Sequence, residues 1–359
     1  MKRIDAFDAI ETVAIAMACS MHFPLFGAGS LTAQIWMLVC SCAVPAFFLV
    51  NGTLLFMRPF SWKKHLARLR KIITCLLFWR LVYLVLFSGL GWFDASGLTI
   101  EGYLLYFLGV DYPGLPTAHM WFMYALVAMY LLFPLFKKLY ECDARSIALY
   151  GCCVMFVFGV VVTDLDLLFL AISHVVPSFE LDLSASVSAL YNPFGAWTMG
   201  FYFFLGPFLY EQVERCKLRF SMNRLRIGCG GLFVAGFLFN YVAQYVYTGS
   251  MRWEGITLES QYLHFGTLAM GAAFFAFFCF LPWGNEKINR VIEFFSVNTI
   301  TIYYAHMIFM YVTTFFVFNP LGLAEAGVWL VVLRAVVSVV LGSLLGWIMG
   351  KIPLLKKVV

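Results

Sequence analysis

The chain has 359 residues, 63% of them hydrophobic and 12% charged, whereas a soluble domain carries roughly 25% charged residues. With a mean hydropathy of +0.88, that composition excludes a soluble globular module and marks an all-α, polytopic membrane protein. The net charge of +5 is accounted for below by membrane topology, so it gives no reason to invoke nucleic acid.

Windows of about 20 apolar residues, the length a helix needs to cross the hydrocarbon core, fall at 9–27, 33–56, 72–90, 119–136, 147–163, 194–210, 227–247, 260–281, 296–316 and 328–350. The expectation is a bundle of about ten transmembrane helices. Counting along these spans puts 21 of the 24 Lys and Arg residues on one side, so both termini should be cytoplasmic. The exceptions are Arg252 in an outer loop, and Arg80 and Arg334 within spans. No cleavage site follows the first apolar stretch, and it should persist as an anchor. No repeat or linker is visible, and residues 1–359 should form one integral membrane domain without a separate soluble domain.

The first span, "FDAIETVAIAMACSMHF", holds Glu11 and His22. Eleven residues at 100° each leave about 20° of offset and ~16 Å of rise, so the two share a face, which should turn to the bundle interior. A basic inner loop, "RPFSWKKHLARLRK" (58–71), follows the second span, and Arg68, Arg70 and Lys71 lead into the third. Cations so placed suit anionic headgroups and equally the phosphates of a soluble cytoplasmic ligand. Arg80 lies inside the third span and needs a partner. By predicted depth its nearest acidic group is Glu11, and an ion pair between them is expected.

The outer connection 91–118 is acidic and contains "LTIEGYLLYFLGV" (98–110), too short to span and read as an interfacial or re-entrant helix. His119 and Trp121 open the fourth span; a Trp at that depth also fits an aromatic belt. A second acidic outer segment, 164–193, carries Asp164, Asp166, Glu180 and Asp182. A further inner loop, 211–226, is basic, and His264 lies in the eighth span. The ninth span holds Tyr303 and His306, three apart and so on one helical face. In the tenth, Gly342, Gly346 and Gly350 form a small-residue stripe suited to close helix packing. The ten cysteines are scattered, form no CxxC, and read as small apolar packing residues, with no metal site.

Titratable groups at membrane depth are costly and mark functional paths. Glu11, Arg80, His306, His22, Arg334, His264 and His119 are graded across the predicted bilayer, and one polar path linking the two sides is the economical expectation.

Four segments then carry a resemblance. "FDAIETVAIAMACSMH" (7–22) supplies Asp8 and His22, "VPAFFLVNGTLL" (44–55) precedes the basic "RLRK", "HMWFMYALVAMYLLFPL" (119–135) opens the fourth span, and "TITIYYAH" (299–306) lies in the ninth. In order and spacing, over nearly the whole chain, they resemble the integral membrane acyltransferases of acyltransferase family 3, which modify cell-envelope glycans and related acceptors. One departure stands out. The family has Arg or Lys eleven residues before the histidine, a residue thought to help position the donor or the histidine, and this chain has Glu11. Arg80, from a neighbouring helix, would supply that charge.

The resemblance implies transfer of an acyl group, most simply acetyl, from cytoplasmic acyl-coenzyme A to a hydroxyl of a glycan or lipid-linked sugar in the cell envelope. No bound cofactor is then needed beyond acyl-coenzyme A as donor substrate, whose phosphates would dock on Arg68, Arg70 and Lys71. A sugar hydroxyl needs a base, and neutral imidazole suits the role. His22 is expected as that base or as a transient acyl carrier, with His306 and Tyr303 polarising the thioester or orienting the base. Glu11, Arg80, His119 and Trp121 would support the site or contact the acceptor. Expected partners are membrane lipids and the machinery of polysaccharide synthesis. Two other readings use the same residues: a transporter or flippase with the histidines as a proton relay, and a non-enzymatic component of a synthesis complex.

Overall fold

In hydrocarbon every backbone N–H and C=O must find a partner within the protein, which leaves helices as the means of crossing for a chain of this composition. The computed structural model describes residues 3–22, 31–142, 144–176, 199–248, 262–323 and 328–358, and among them there is no strand. A helix coincides with each of the ten apolar windows, and among the described residues seven helices are long and apolar enough to cross a membrane by themselves. The first window gives α1 (Asp5–Met21), and the second gives α2 (Leu31–Cys40) and α3 (Ala43–Phe56). The break at Ser41 and Cys42 follows from Pro45, which has no N–H for the Ser41 carbonyl four residues back.

The third window sits inside a longer helix, α4 (Trp62–Gly89). The basic stretch expected as a loop is therefore helical from Trp62 onward. Lys, Arg, Leu and Ala are good helix formers, and a hydropathy window detects only the part of a helix at hydrocarbon depth. The same reason extends α9 (Gly200–Arg219) and α10 (Met222–Thr248) through the basic 211–226 segment, leaving a short break at Phe220 and Ser221.

The outer connection contains α5 (Ile100–Leu108), started by Thr99, whose hydroxyl accepts from Gly102 N at 3.1 Å, and ended by Gly109 at φ +116°. Ile100, Leu104 and Leu108, four apart, are all exposed, while Gly102 and Tyr106 are buried. One face inward and one apolar face outward is the pattern of the expected interfacial helix.

Next come α6 (Trp121–Glu141) and a 31-residue run, Arg145–Val175, made of α7 (Arg145–Phe156), a π turn at Val157–Val161 and α8 (Val162–Val175). Asp164 and Asp166, expected in an outer loop, are thus helical. Asp164 is tolerated because its two oxygens are occupied: His264 Nδ1 lies 2.6 Å from one, and Phe265 N donates to the other at 2.7 Å, at the start of α11 (Phe265–Cys279). Glu180, Asp182 and Arg252 fall outside the described residues, as do residues 23–27 of the first window.

The chain closes with α12 (Glu286–Val297), α13 (Thr299–Thr313) and α14 (Val328–Lys351). Helix α1 lies at the centre, packed by α3, α11, α12, α13 and α14, with Ile10 and Ala14 wholly buried. Of the glycine stripe, Gly342 and Gly346 bring α14 so close to Ile302, Asn298 and Thr301 that a side chain would collide, whereas Gly350 meets nothing. Two of the three positions therefore hold α13, the helix of Tyr303 and His306, in place. All ten cysteines are free thiols, and six of them, Cys19, Cys40, Cys42, Cys75, Cys152 and Cys279, are buried.

Candidate active site

Three imidazoles converge. His22 follows the last residue of α1, His306 lies on α13, and His119 lies on the short 3₁₀ turn (Ala118–Met120) that leads into α6. Ring centroids are 5.2 Å apart for His22 and His306, 4.8 Å for His119 and His306, and 6.1 Å for His22 and His119. The spacing of the three in sequence does not reveal this, because they come from separate helices.

Two of the rings have an assignable tautomer. His306 Nδ1 is 2.5 Å from the Tyr303 carbonyl, and His119 Nδ1 is 3.1 Å from the Pro116 carbonyl. A carbonyl only accepts, so each Nδ1 carries the proton, and in the neutral ring Nε2 carries the lone pair. Both Nε2 atoms are buried with no hydrogen-bond partner among the described residues. His22 is half-buried; among the three it is the one with open access.

Tyr303 is present but differently engaged than expected. Its hydroxyl donates to the His119 carbonyl at 2.6 Å, so its proton fixes the backbone beneath His119 instead of polarising a thioester. Trp121 stacks on Tyr262 at 5.8 Å, placing it on the cavity wall beside the histidines.

The expected pair between Arg80 and Glu11 does not form. Arg80 is 1% exposed and points to the opposite end of the bundle, where one Nη donates to the Tyr106 carbonyl and the other to Asp111 Oδ1 at 2.6 Å and Thr117 Oγ1 at 3.3 Å. Thr117 in turn donates to Asp111 at 2.7 Å, and the guanidinium lies 4.4 Å over the Tyr106 ring. Predicted depth misled because the outer connection folds back into the bundle and brings its own carboxylate. Thr117 is two residues from His119, so the buried Arg80 and its half-exposed partner Asp111 anchor the backbone that presents that histidine. Asp111 and Thr117 were missed in the sequence; an acidic residue beside a non-spanning apolar segment was the available signal.

Glu11 lies at the far end of the same cavity. This cavity, of about 270 Å³, is lined at one end by Glu11, Asn51 and Ser296 and at the other by His22, His119 and His306, with Phe47, Phe122 and Tyr130 between. Glu11 and His22 both line it, as their shared helical face requires. Ser296 Oγ sits between two carboxylates, 2.9 Å from Asp8 Oδ1 and 3.0 Å from Glu11 Oε2. Arg3 pairs with Asp8, with Glu293 at 3.1 Å, and donates to Ser296 at 3.3 Å. Arg58, which sequence reasoning passed over, lies within electrostatic reach of both Glu11 and Tyr130.

The three cations expected to act together separate on α4. Arg68 is half-buried, within reach of Tyr130, and one turn before the cavity-lining Ile72. Arg70 is exposed on the opposite side of α4, and Lys71, about 60° round the helix from Arg68, is exposed and does not line the cavity. The polar path expected from seven residues thus reduces to a cavity shared by Glu11, His22, His119 and His306. Arg334 is outside it, donating to the Leu323 carbonyl at 2.8 Å, and His264 is engaged with Asp164.

Residues 4–349 match a family model described as an acyltransferase domain. No curated protein and no solved structure matches the chain.

Proposed function

The chain belongs to acyltransferase family 3 and is a multi-pass membrane acyltransferase, and from that premise we propose that it carries an acyl group, most simply acetyl, from cytoplasmic acyl-coenzyme A to a hydroxyl of a cell-envelope glycan or lipid-linked sugar. The observation that supports this reading is the single cavity that joins a charged end, with Arg58 and Arg68 nearby, to the histidine cluster. A donor has to extend from one side of a membrane toward an acceptor on the other, and a narrow pantetheine arm is a shape such a cavity admits.

In this reading the donor phosphates meet Arg68 and Arg58 at the inner mouth, where guanidinium forks bind phosphate oxygens in pairs. The thioester reaches the imidazoles. His22, the half-buried ring, takes the proton of the acceptor hydroxyl as its oxygen attacks the thioester carbonyl. Collapse of the tetrahedral adduct breaks the carbon–sulfur bond, and the imidazolium returns the proton to the departing thiolate. His119 and His306, with Nδ1 held by backbone carbonyls, keep the pocket shaped around His22. The membrane concerned is the cell membrane, with the acidic, aromatic outer segments facing the acceptor and the polysaccharide synthesis machinery as partner.

Sealed vesicles of opposite orientation test this. Labelled acetyl-coenzyme A should acylate endogenous lipid-linked or glycan acceptor in inside-out vesicles and not in right-side-out ones. Equal labelling from both faces would overturn the direction of transfer, and no labelling in either would overturn the donor.

A further inference from the structure

The cations at the start of α4 serve more than one surface. At 100° per residue, Arg68 and the cavity-lining Ile72 are about 40° apart, while Lys63 and Leu66, three apart, share another face next to Trp62. Beyond Leu66 runs a second depression, of about 690 Å³, walled by Trp62, Leu66 and Leu69 of α4 and by Leu131, Leu135 and Lys138 of α6. Its apolar walls are open: Trp62 is 60%, Leu66 55%, Leu131 64% and Leu135 59% exposed.

The groove is closed off from the catalytic cavity. Pro134 on its floor lacks an N–H, which leaves the Tyr130 carbonyl without its helical donor, and the buried His65 ring reaches that carbonyl. The His65 and Tyr130 rings stack at 5.9 Å and 14°, so a wall of two aromatic rings stands between the groove and the cavity that Tyr130 lines.

Charge decides what the groove suits. Glu141, also on its rim, is neutralised by Lys137 at 2.8 Å, and Lys137 donates as well to the Phe56 carbonyl. That leaves Lys138 on the rim and Lys63 beside Trp62, both exposed and neither with an ion-pair partner among the described residues. Open leucine and tryptophan walls ask for acyl chains, and a cationic rim at the cytoplasmic end asks for an anionic headgroup.

We propose that this groove binds an anionic phospholipid of the cytoplasmic leaflet, its phosphate held at the Trp62 end by Lys138 and Lys63 and its chains lying against Trp62, Leu66 and Leu135. The site is separate from the donor path and does not rest on the identity of the acyl donor. A zwitterionic lipid can fill the same walls but leaves the two cations uncompensated. Each Lys or Arg near such a surface contributes about 1 kcal/mol toward an anionic lipid, a factor of roughly five.

The test uses the full chain in nanodiscs with brominated phosphatidylglycerol or brominated phosphatidylcholine. The Trp62 signal is the fluorescence difference between the wild type and Trp62→Phe. Quenching of that signal should favour the anionic lipid several-fold, and the paired change Lys63→Gln with Lys138→Gln should remove most of the preference while quenching by phosphatidylcholine persists. Equal quenching by the two lipids in the wild type would overturn the proposal, as would an unchanged preference in the double variant. Relief of quenching by added coenzyme A would assign the groove to the donor and equally overturn it. None of these results bears on whether acyl transfer occurs, which the vesicle experiment reads separately.

Discussion

The two ends of the central cavity are built on different principles. At the histidine end the rings are fixed by neutral partners: the Tyr303 carbonyl for His306, the Pro116 carbonyl for His119, and the Tyr303 hydroxyl on the His119 backbone. At the Glu11 end, formal charges dominate, with Asp8, Glu11, Arg3 and Glu293 gathered around Ser296 and Arg58 nearby. Rigid, oriented groups suit a chemical step, in which an ångström of misplacement is expensive. A cluster of formal charges that includes guanidinium groups suits the capture of a highly charged ligand from water. In the proposed reading, Glu11 belongs with the charged groups at the donor's end of the cavity and not with the chemistry.

Substitutions at each end should separate the two roles. The largest effect is expected at His22: His22→Ala should lower kcat by about 10³-fold, within the range that positioned acid–base groups contribute, with little change in donor KM or thermal stability. A loss confined to KM would move His22 to the docking end.

Arg80 should come next. It is 1% exposed while the Asp111 side chain is 40% exposed, so Arg80→Met should cost about 2 kcal/mol, below the 3–5 kcal/mol of a fully buried pair broken on one side. Activity should fall by roughly tenfold to a hundredfold as His119 loses its anchor. Arg80→Met combined with Asp111→Leu should recover much of the stability; no recovery would show that the guanidinium serves something beyond this pair.

At the docking end, Arg68→Gln should raise donor KM about tenfold with kcat nearly unchanged, the loss of one charge-assisted contact of ~1.4 kcal/mol. Lys71→Gln, at an exposed position that does not line the cavity, should change KM less than threefold by the same steady-state assay. The smallest effect belongs to Glu11→Gln. The amide oxygen can still accept from Ser296, so kcat should stay within about threefold of wild type, and a drop beyond tenfold would transfer Glu11 to the chemistry.

How much of this was legible in the sequence differs between the same two regions. The helical architecture and the shared face of Glu11 and His22 follow from hydropathy and the 3.6-residue period, which are local. The meeting of His22, His119 and His306 is not local: it depends on how α1, α6 and α13 pack, and the resemblance alone pointed to it. Arg80 shows the limit most clearly. Depth along a span is readable, but the return of residues 106–117 into the bundle is not, so Glu11 was paired with Arg80 when Asp111 holds it. Likewise Asp164 read as a loop residue because its compensation, His264, lies a hundred positions away. The Arg68, Arg70 and Lys71 cluster read as one patch because sequence proximity hides that successive residues on a helix face different ways.

The central claim is that one continuous cavity joins donor capture to the histidines, and Ala18 lies on its wall between Glu11 and His22. The most direct test is Ala18→Trp, assayed with labelled acetyl-coenzyme A on inside-out vesicles alongside thermal unfolding and donor binding. The indole should block the passage, abolishing transfer while the protein stays folded and the inner mouth still binds coenzyme A. Transfer at the wild-type rate in that variant would contradict a donor path through this cavity.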